Sequence, residues 1–470
     1  MRLEGAGSAG GHATAARALV QSAMQAPVDG FPEAVMAKAK LCLLDYLSCA
    51  FEALPLPWSR QAAALAMPVA NGSHLVGHDT ACAPGDAAFA NAVAGHGLVR
   101  EDMHAGSVAH LGVVVWPTVL ALAERYPVTG AQALAAAIVG YETGARIGRA
   151  IVTPDLAGLF RPTGLVGPFA AATAGARVMG LDVDQALNAF ALAGNCCAGL
   201  NQWAHTGASE MYFHPGFVAR SAVLCLDLAR LGATASESIL EGEAGTFRAY
   251  ARRPLGTPIR LFPDGEAEIC AVFNKPVPAC NFAQSPCQAA LQVARQVAGG
   301  SRGIESVRIE TTHAAVAYPG CDATGPFDYP LQAKMSIPFG VAATLARAAI
   351  AEANYDCLDD AEIGRLVAAT RLLADPAYTA AFPARQGARV IVTLKDGSAV
   401  ASALDDVEAA GDASIRRRFT EAAAAVLGGE RARRIEAMVD GFEHAPDAGE
   451  LARLCAVPGA EARPEREIGR

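Results

Sequence analysis

The amino-acid sequence predicts a mainly α-helical protein with a smaller α+β domain. From about residue 12 to residue 250, segments rich in Ala and Leu repeat with helical period and are separated by Gly and Pro. After about residue 265 the pattern changes, because "SVRIETTHAAVAY" and "ARVIVTLKDGSAV" alternate or cluster β-branched residues. Hydrophobic residues make up 52% of the chain and charged residues 18%, which indicates extensive buried helix.

The first part, residues 1–266, is predicted to form a packed helical domain. Its helices are expected in "GFPEAVMAKAKLCLLDYLSCAFEAL", "TGAQALAAAIVGYETGARIGRAIV", "VGPFAAATAGARVMGL" and "GFVARSAVLCLDLARLG". Several of these segments consist mostly of Ala and Gly, whose small side chains let helices approach closely. The pattern therefore favours a large bundle.

Residues 267–404 are predicted to form the α+β domain, in which "KDG" is a turn between two strands. Two helices, "FAQSPCQAALQVARQVA" and "PFGVAATLARAAI", are expected in the same part. Residues 405–470 return to helical period in "DASIRRRFTEAAAAVLGGERARRIEAMVDGFE". We expect this last part to rejoin the first, which makes the α+β domain an insertion.

Composition argues against several classes of protein. No apolar run approaches the ~18 residues that a membrane span needs, and polar residues interrupt the amino-terminal stretch "MRLEGAGSAGGHATAARALVQSAM", so a cytoplasmic location is expected. The formal net charge is −9 and basic runs are lacking, so nucleic acid is not an expected partner. The twelve cysteines form no CxxC pair and are expected to be reduced core residues. Neither GxGxxG after a strand, a P-loop nor GxSxG occurs, so no bound nucleotide cofactor is expected.

A polar cluster in "HGLVREDMHAGSVAHLG" is the strongest functional signal. Asp102, His104 and His110 are the predicted catalytic residues, because a histidine titrates near neutrality and a carboxylate can orient its ring. The two histidines are six residues apart and converge only if the segment is a loop. A buried helix should follow, with Pro117 near its first turn. A hydrogen-bonded histidine pair at a helix entry and a metal site are the alternatives, and no metal is expected.

Further polar residues in small-residue surroundings are the predicted substrate-binding groups. Arg161 and Thr163 occur in "FRPTGLVGPF", where an arginine can bind a carboxylate through two hydrogen bonds. His214 lies in "HTGASEMYFHPGF", and Lys275 lies between apolar residues in "FNKPVPAC". A helix-entry ion pair, an ordinary polar network and a surface lysine are the corresponding structural alternatives.

The ordered set of motifs resembles the MmgE/PrpD family over roughly residues 15–455. The motifs are "LLDYLSCA", "NAVAGHGLVREDMHAGSVAHLG", "VGYETGARIGRAI", "RPTGLVGPFAAATAGARVMGLD", "LEGEAGTFRAY", "KPVPACNFAQSP" and "AKMSIPFGVAATLA". The resemblance implies a helical domain built from both ends of the chain, an α+β lid, a homodimer and a site between the domains. It also implies dehydration, decarboxylation or epimerisation of small polycarboxylic acids.

The chain departs from the family pattern at several polar positions. The family loop H-A-L-D-F-D-D-T-H, followed by five residues and a further His, is matched at Asp102, His104 and His110, and the family lysine of K-P-x-P is matched by Lys275. The family's usual acid, threonine, histidine, lysine, tyrosine and histidine are replaced by Val99, Met103, Arg161, Met211, Phe339 and Gln284.

The predicted activity is that of a cofactor-independent, dehydratase-like lyase. In this hypothesis Arg161 and Lys275 bind the carboxylates of a small di- or tricarboxylic acid, and His110 moves a proton with support from His104 and Asp102. A β-hydroxyl then leaves as water. An epimerase of a dicarboxylate is one alternative, because two proton-bearing groups on opposite faces would invert the same carbanion. A non-catalytic binder of polycarboxylates is the other.

Overall fold

The computed structural model describes residues 13–457, and 58% of the chain is helical. The ends of the predicted first and last parts, including the first twelve residues, lie outside the described residues. The helices are α1 (Ala15–Gln25), α2 (Glu33–Glu52), α3 (Pro57–Ala64), α4 (Pro84–His96), α5 (Gly112–Ala123), α6 (Gly130–Ile151), α7 (Pro154–Leu159), α8 (Pro162–Met179), α9 (Val183–Gly194), α10 (Trp203–Thr206), α11 (Glu210–Arg230), α12 (Thr246–Ala251), α13 (Gln284–Ala294), α14 (His313–Ala317), α15 (Pro330–Met335), α16 (Ile337–Arg347), α17 (Ala361–Ala368), α18 (Pro376–Ala381), α19 (Asp412–Leu427), α20 (Gly429–Asp440) and α21 (Gly449–Cys455).

The strands are few and short. They are β1 (Pro68–His74), β2 (Ala81–Cys82), β3 (Met103–His104), β4 (Val272–Phe273), β5 (Ile304–Thr311), β6 (Thr370–Ala374), β7 (Ala388–Leu394) and β8 (Ala399–Leu404). The predicted fold class, mainly α with a smaller α+β part, is thereby confirmed.

The α+β part is built on a four-stranded sheet in the order β6, β5, β7, β8. β5 pairs with β6 in parallel and with β7 antiparallel, and β7 and β8 form a hairpin. The hairpin turn is the predicted Lys-Asp-Gly, where Gly397 has a φ of 85°, a value that favours glycine. α13 packs against β7 and β8, so the sheet is covered by helices from its own part of the chain.

Helices of the amino-terminal part pack closely through small residues: α8 contacts α5, α6, α9 and α11, and α4 contacts α5 and α11. α6 begins at a capping box in which the Thr129 and Gln132 side chains each bond the other's backbone. Further along α6, a Cβ atom at Gly140 would come within 2.9 Å of the Ala174 Cβ and 3.0 Å of the Ala170 carbonyl oxygen in α8. The contact between α6 and α8 therefore depends on the absence of a side chain at this position.

The last helices pack against the first part of the chain. α19 lies along α2, where the Phe51 and Phe419 rings meet edge to face at 6.2 Å, and α21 contacts α5. The Gly130 N–H at the start of α6 donates to the Ala445 carbonyl at 2.9 Å. The domain boundaries that the sequence predicts remain a prediction, since the packing does not set an edge at any one residue.

Local expectations were wrong in two places. Pro117 is the sixth residue of α5 and lies beyond its first turn, because the helix begins at Gly112, whose N–H the Asp102 carboxylate binds. The stretch 306–318 is only partly strand, since β5 ends at Thr311 and the Thr312 hydroxyl caps α14.

Other expectations concern burial. Ten of the twelve cysteines are at least partly buried, as expected, whereas Cys270 and Cys357 are exposed. Between residues 13 and 457, no helix is both long enough and apolar enough to span a bilayer.

Candidate active site

The predicted catalytic stretch connects α4 to α5 and is held at three points. The Asp102 carboxylate accepts a hydrogen bond from the Gly112 N–H at 3.2 Å and another from the Tyr141 hydroxyl, which fixes the start of α5. Asp102 thus binds one of the backbone donors that the first turn of a helix leaves free. The Thr163 hydroxyl accepts from the His110 N–H at 3.0 Å. Pairing of β3 with β4 ties the stretch to the segment that carries Lys275.

A small pocket of about 60 Å³ lies beside this stretch, between the helical part and the α+β part. The helical part contributes Val99, Met103, Val108, His110, Arg161, Pro162, Trp203 and Met211, and the α+β part contributes Cys280, Asn281, Phe282, Tyr318 and Met335. Since about 10–15 Å³ of such space holds one water molecule, the pocket has room for only a few waters. The pocket in this conformation is therefore smaller than a di- or tricarboxylic acid.

The Glu101 carboxylate contacts two histidines beside the pocket, His96 and His110. Its Oε1 lies 2.6 Å from the His96 Nδ1 and 2.9 Å from the His110 Nδ1, while its Oε2 is buried without a hydrogen-bond partner. All three side chains are buried, and His110 also lines the pocket. A carboxylate that binds an imidazole N–H orients the ring and stabilises the imidazolium that forms when the ring accepts a proton.

The hydrogen-bond partners define the tautomers of the two rings. A guanidinium only donates, so the His96 Nε2 that receives a hydrogen bond from Arg161 carries no proton, and its Nδ1–H donates to Glu101. The His110 Nδ1 faces two acceptors, Glu101 Oε1 and the Asp102 carbonyl oxygen at 3.0 Å, so it also carries the proton. In the neutral ring, the His110 Nε2 is then the unprotonated nitrogen and can act as a base.

Burial shifts the pKa values of the four connected side chains, His110, Glu101, His96 and Arg161. Burial lowers the pKa of His96 to about 3 and also lowers the pKa of His110, although Glu101 opposes both shifts. Burial alone would raise the pKa of Glu101, but the two histidines outweigh it and hold that pKa well below its usual value. Burial lowers the pKa of Arg161 to about 10, which still leaves the guanidinium charged at neutral pH. At neutral pH, uncharged His96 therefore lies between the Glu101 carboxylate and the Arg161 guanidinium.

Arg161 presents its guanidinium at the pocket wall. It precedes the first turn of α8, donates to the Met211 carbonyl oxygen at 2.7 Å and lies 5.9 Å from the centre of the Trp203 ring. No carboxylate among the described residues pairs with it directly, since its second contact is the uncharged His96. Its charge is thus available to an anionic ligand.

Two buried lysines hold the backbone that leads to Glu101. The Lys275 ammonium donates to the Val99 carbonyl oxygen, and the Lys334 ammonium donates to the Leu98 carbonyl oxygen at 3.0 Å and to Glu352. Burial lowers the pKa of Lys275 to about 8. Lys275 does not itself line the pocket, but Val99 does, so the ammonium lies directly behind the wall.

Two wall residues have strained backbones. Val99 has a φ of 59° and Val108 a φ of 53°, values that a β-branched residue rarely adopts. Each such residue costs on the order of 1–3 kcal/mol and persists only where the surroundings hold it. At Val99 the hydrogen bond from Lys275 supplies part of that constraint.

The structure separates the predicted site residues into two groups. His110 and Arg161 line the pocket, and Thr163 contacts it only through the His110 backbone. His104 points away, with its Nε2 2.7 Å from Glu268 and its Nδ1 2.8 Å from the Ser107 hydroxyl.

The remaining predicted residues also lie behind the wall. The Asp102 carboxylate faces α5 and Tyr141 rather than His110. His214 is buried without a partner for its Nδ1, and burial beside Arg161 lowers its pKa to about 3. The catalytic and substrate-binding roles of these residues remain predictions.

Sequence reasoning missed the side chains that complete the site. Glu101 lies within the polar cluster but is not among the predicted site residues, and neither is His96 nor Lys334. The available signal was the spacing of His96 before the polar cluster, but only the folded backbone decides which of two adjacent carboxylates meets His110.

Departures from the family pattern are accommodated by packing. Met211, at the position of the usual lysine, lies with its Sδ 2.9 Å from the His96 Nε2. Phe339, at the position of the usual tyrosine, packs against Phe327 and Tyr355. Between residues 13 and 457, no group of three or more His, Cys, Asp or Glu side chains is arranged to hold a metal ion.

These features define a class of protein: a mainly helical fold with a smaller α+β part, and between the two parts a buried histidine with a carboxylate behind it and a guanidinium beside it. The chain belongs to the MmgE/PrpD family. The family's N-terminal domain matches residues 17–255 and its C-terminal domain matches residues 277–444.

Known relatives include fungal proteins. A protein named cis-aconitate decarboxylase from Aspergillus terreus is 30% identical over 227 residues, which are 47% of this chain and 46% of that protein. The chain thus matches about half the length of this relative. A cis-aconitate decarboxylase-like protein, oryM, from Aspergillus oryzae is 25% identical over 462 residues, which are 90% of this chain and 93% of that protein.

Proposed function

We propose that the protein is a lyase that works without a cofactor and removes a proton from the carbon next to a carboxylate of a small di- or tricarboxylic acid. One observation carries the proposal: His110 lines the pocket with its Nδ1 facing two acceptors, Glu101 Oε1 at 2.9 Å and the Asp102 carbonyl oxygen at 3.0 Å, which leaves its Nε2 as the base. The names of the fungal relatives support a carboxylic acid as the substrate class.

The surrounding charges suit this reaction. Removing a proton next to a carboxylate places a second negative charge on that group, which cations must stabilise. Arg161 at the wall and the Lys275 ammonium behind it supply two positive charges. Both act in a buried environment, where charge interactions are stronger than in water.

In the dehydratase form of the proposal, His110 both removes the proton and returns it. Its Nε2 accepts the proton from carbon, and the electron pair of the broken C–H bond forms a double bond while the β-hydroxyl departs. The imidazolium then returns the proton to that hydroxyl, which leaves as water. Glu101 stabilises the imidazolium between the two transfers.

The pocket must enlarge to accept such a substrate. Its volume of about 60 Å³ is bounded on one side by Met211 and on the other by Phe282, Tyr318 and Met335 of the α+β part. A shift of the α+β part away from the helices would open the space without moving Glu101 and His110, which belong to the helical part. Closure would then exclude water from the ion pairs.

An epimerase is the second candidate, because one further group in the wall can carry a proton. Cys280 lines the pocket, and its Sγ lies 3.5 Å from that of Cys321. An acidic proton delivered from this side would invert the carbanion that His110 creates, and no group would leave.

Proton NMR in D2O with a panel of citrate-like, malate-like and aminodicarboxylate compounds tests the proposal. We expect deuterium to replace the proton next to a carboxylate and an alkene to appear, both at least a hundredfold more slowly in His110→Ala. Deuterium uptake with inversion and no alkene would support the epimerase. No reaction of any compound, together with a raised unfolding temperature in its presence, would contradict a catalytic role and leave a polycarboxylate binder.

A further inference from the structure

A second and larger cavity lies on the opposite side of the stretch that carries Glu101. Its volume is about 380 Å³, and it shares no lining residue with the pocket beside His110. Arg100, the neighbour of Glu101, lines this second cavity, whereas Glu101 faces the two histidines. The other walls come from the end of α2, from α19 and from two segments of the α+β part.

The cavity has more guanidinium groups than free carboxylates. Arg418 donates to the backbone carbonyls of Lys275 and Pro276 at 3.0 and 2.9 Å, so its hydrogen bonds go to uncharged partners. Arg417 is exposed and has no ion-pair partner among residues 13–457. Arg100 pairs with Glu52 at 2.6 Å, but its buried Nε lacks a hydrogen-bond partner.

The carboxylates of the wall are largely engaged already. Glu52 pairs with Arg100, and Glu352 receives two hydrogen bonds of 2.6 and 2.7 Å from Lys334. Only Glu421 has no cationic partner in the described part of the chain. The two engaged pairs cancel, so Arg417 and Arg418 against Glu421 leave the cavity with an excess of positive charge.

Size and lining point to an organic anion. A volume of about 380 Å³ lies within the range of sites for small molecules. Apolar atoms of Ile350, Ala351, Pro276 and Pro278 form part of the wall, which suits a carbon skeleton rather than a bare inorganic ion. The arginines come from two different elements, the stretch before β3 and α19, so they can engage more than one anionic group.

We propose that this cavity is a second binding site, which takes a small organic acid with at least two carboxylates. Arg417 and Arg418 bind one carboxylate, and the Arg100 side chain, which lines the cavity, binds the other. The site is separate from the acid–base site and does not depend on the activity proposed for it. It adjoins that site through two neighbouring residues, because Val99 lines the pocket beside His110 and Arg100 lines this cavity.

Calorimetric titration with tricarballylate tests the proposal, because this tricarboxylate has neither a hydroxyl to eliminate nor a double bond. In Arg417→Ala, we expect the dissociation constant to rise at least tenfold. Ala351→Trp, which fills the cavity from an exposed position without altering charge, should weaken binding as strongly. The matched control is Arg60→Ala, an exposed arginine of α3 without an ion pair among residues 13–457, and it should bind as the wild type does.

Two results would overturn the proposal. One is tricarballylate binding that neither Arg417→Ala nor Ala351→Trp changes, because the ligand would then occupy another place. The other is inorganic phosphate that binds as tightly as tricarballylate and responds equally to both variants, because the site would then select charge alone. Neither measurement depends on turnover. Failure of the proposed lyase activity can therefore be distinguished from failure of this second binding site.

Discussion

Glu101 and Asp102 are adjacent in the chain, but their carboxylates have different surroundings. Glu101 contacts two histidines at 2.6 and 2.9 Å, whereas Asp102 binds the first turn of α5 and the Tyr141 hydroxyl. Successive side chains of a non-helical segment point in different directions, so Glu101 faces the two histidines and Asp102 faces α5 and Tyr141. The sequence alone places both acids near His110 and cannot assign the contact.

Asp102 should make stability depend on pH. Burial raises its pKa to about 7 against the hydrogen bonds from Tyr141 and Gly112, which lower it. An acid whose pKa is raised by folding binds a proton more tightly in the native state, so its contribution to stability falls as pH rises from about 4 to about 7. The full difference is at most about 4 kcal/mol.

Asp102→Asn removes this titration while it preserves an acceptor for the Gly112 N–H. We expect the free energy of unfolding of the variant, relative to the wild type, to increase between pH 4 and pH 7.5, measured by urea denaturation at each pH. Asp182→Asn, at the exposed start of α9, serves as the control and should follow the wild type. A constant difference across this range would show that Asp102 is not protonated in the native state.

At the scale of elements, α4, α5, α6 and α8 fix the site because they pack without room for larger side chains. α5 is buried along its whole length, and α6 approaches α8 through Gly140 and Gly144. A Cβ at Gly144 would lie 2.7 Å from Leu111 and 2.9 Å from Ala170. The position of His110 therefore depends on Gly144, which lies against the neighbouring Leu111, and the position of Arg161 at the start of α8 depends on a close contact at Ala170, more than two turns along that helix.

Gly140→Ala should lower the free energy of unfolding by about 1–3 kcal/mol, because the added methyl group overpacks α6 against α8 and outweighs the gain in helix propensity. The matched control is Gly364→Ala in α17, where nothing lies within 4 Å of the new Cβ. That change should raise the free energy of unfolding by up to about 1 kcal/mol. Equal effects of the two substitutions in chemical denaturation would contradict the packing argument.

The elements themselves were largely predictable, and the exceptions have physical reasons. Helical period, Gly and Pro located the long helices and the β7–β8 hairpin, since these signals are local. Pro117 was expected near the first turn of its helix because proline is favoured there, but the Asp102 cap starts α5 at Gly112, five residues before Pro117. The motif around Lys334 was recognised only as a likeness to the family, since its contact with the Leu98 carbonyl depends on tertiary structure.

At the scale of the whole molecule, the site depends on two parts of the chain that meet at the pocket. The helical part holds Glu101, His110 and Arg161, while the α+β part supplies Cys280, Tyr318 and the ammonium of Lys275 behind Val99. Because α19 packs against α2, Arg418 reaches the backbone carbonyls of Lys275 and Pro276. The order of the motifs was enough to predict the fold class. The residues of the pocket come from distant parts of the chain, so identifying them required the structure.

The pH dependence of proton exchange in Glu101→Gln tests the central claim, that Glu101 supports His110 as the base. The measurement is the rate of deuterium incorporation from D2O into the most reactive compound of the panel, from pH 4.5 to pH 9. Glu101→Gln should lower the maximum rate at least a hundredfold, because the imidazolium loses its counter-charge. Glu243→Gln, at an exposed position, should not change the rate.

The profile also has a predicted direction. The rate should fall as pH falls through the pKa of His110, which burial lowers and Glu101 partly restores. Removing the Glu101 charge lowers that pKa further, so the acid side of the profile should move to lower pH in Glu101→Gln. A variant that exchanges the proton within threefold of the wild-type rate, with its acid side unmoved, would contradict the claim.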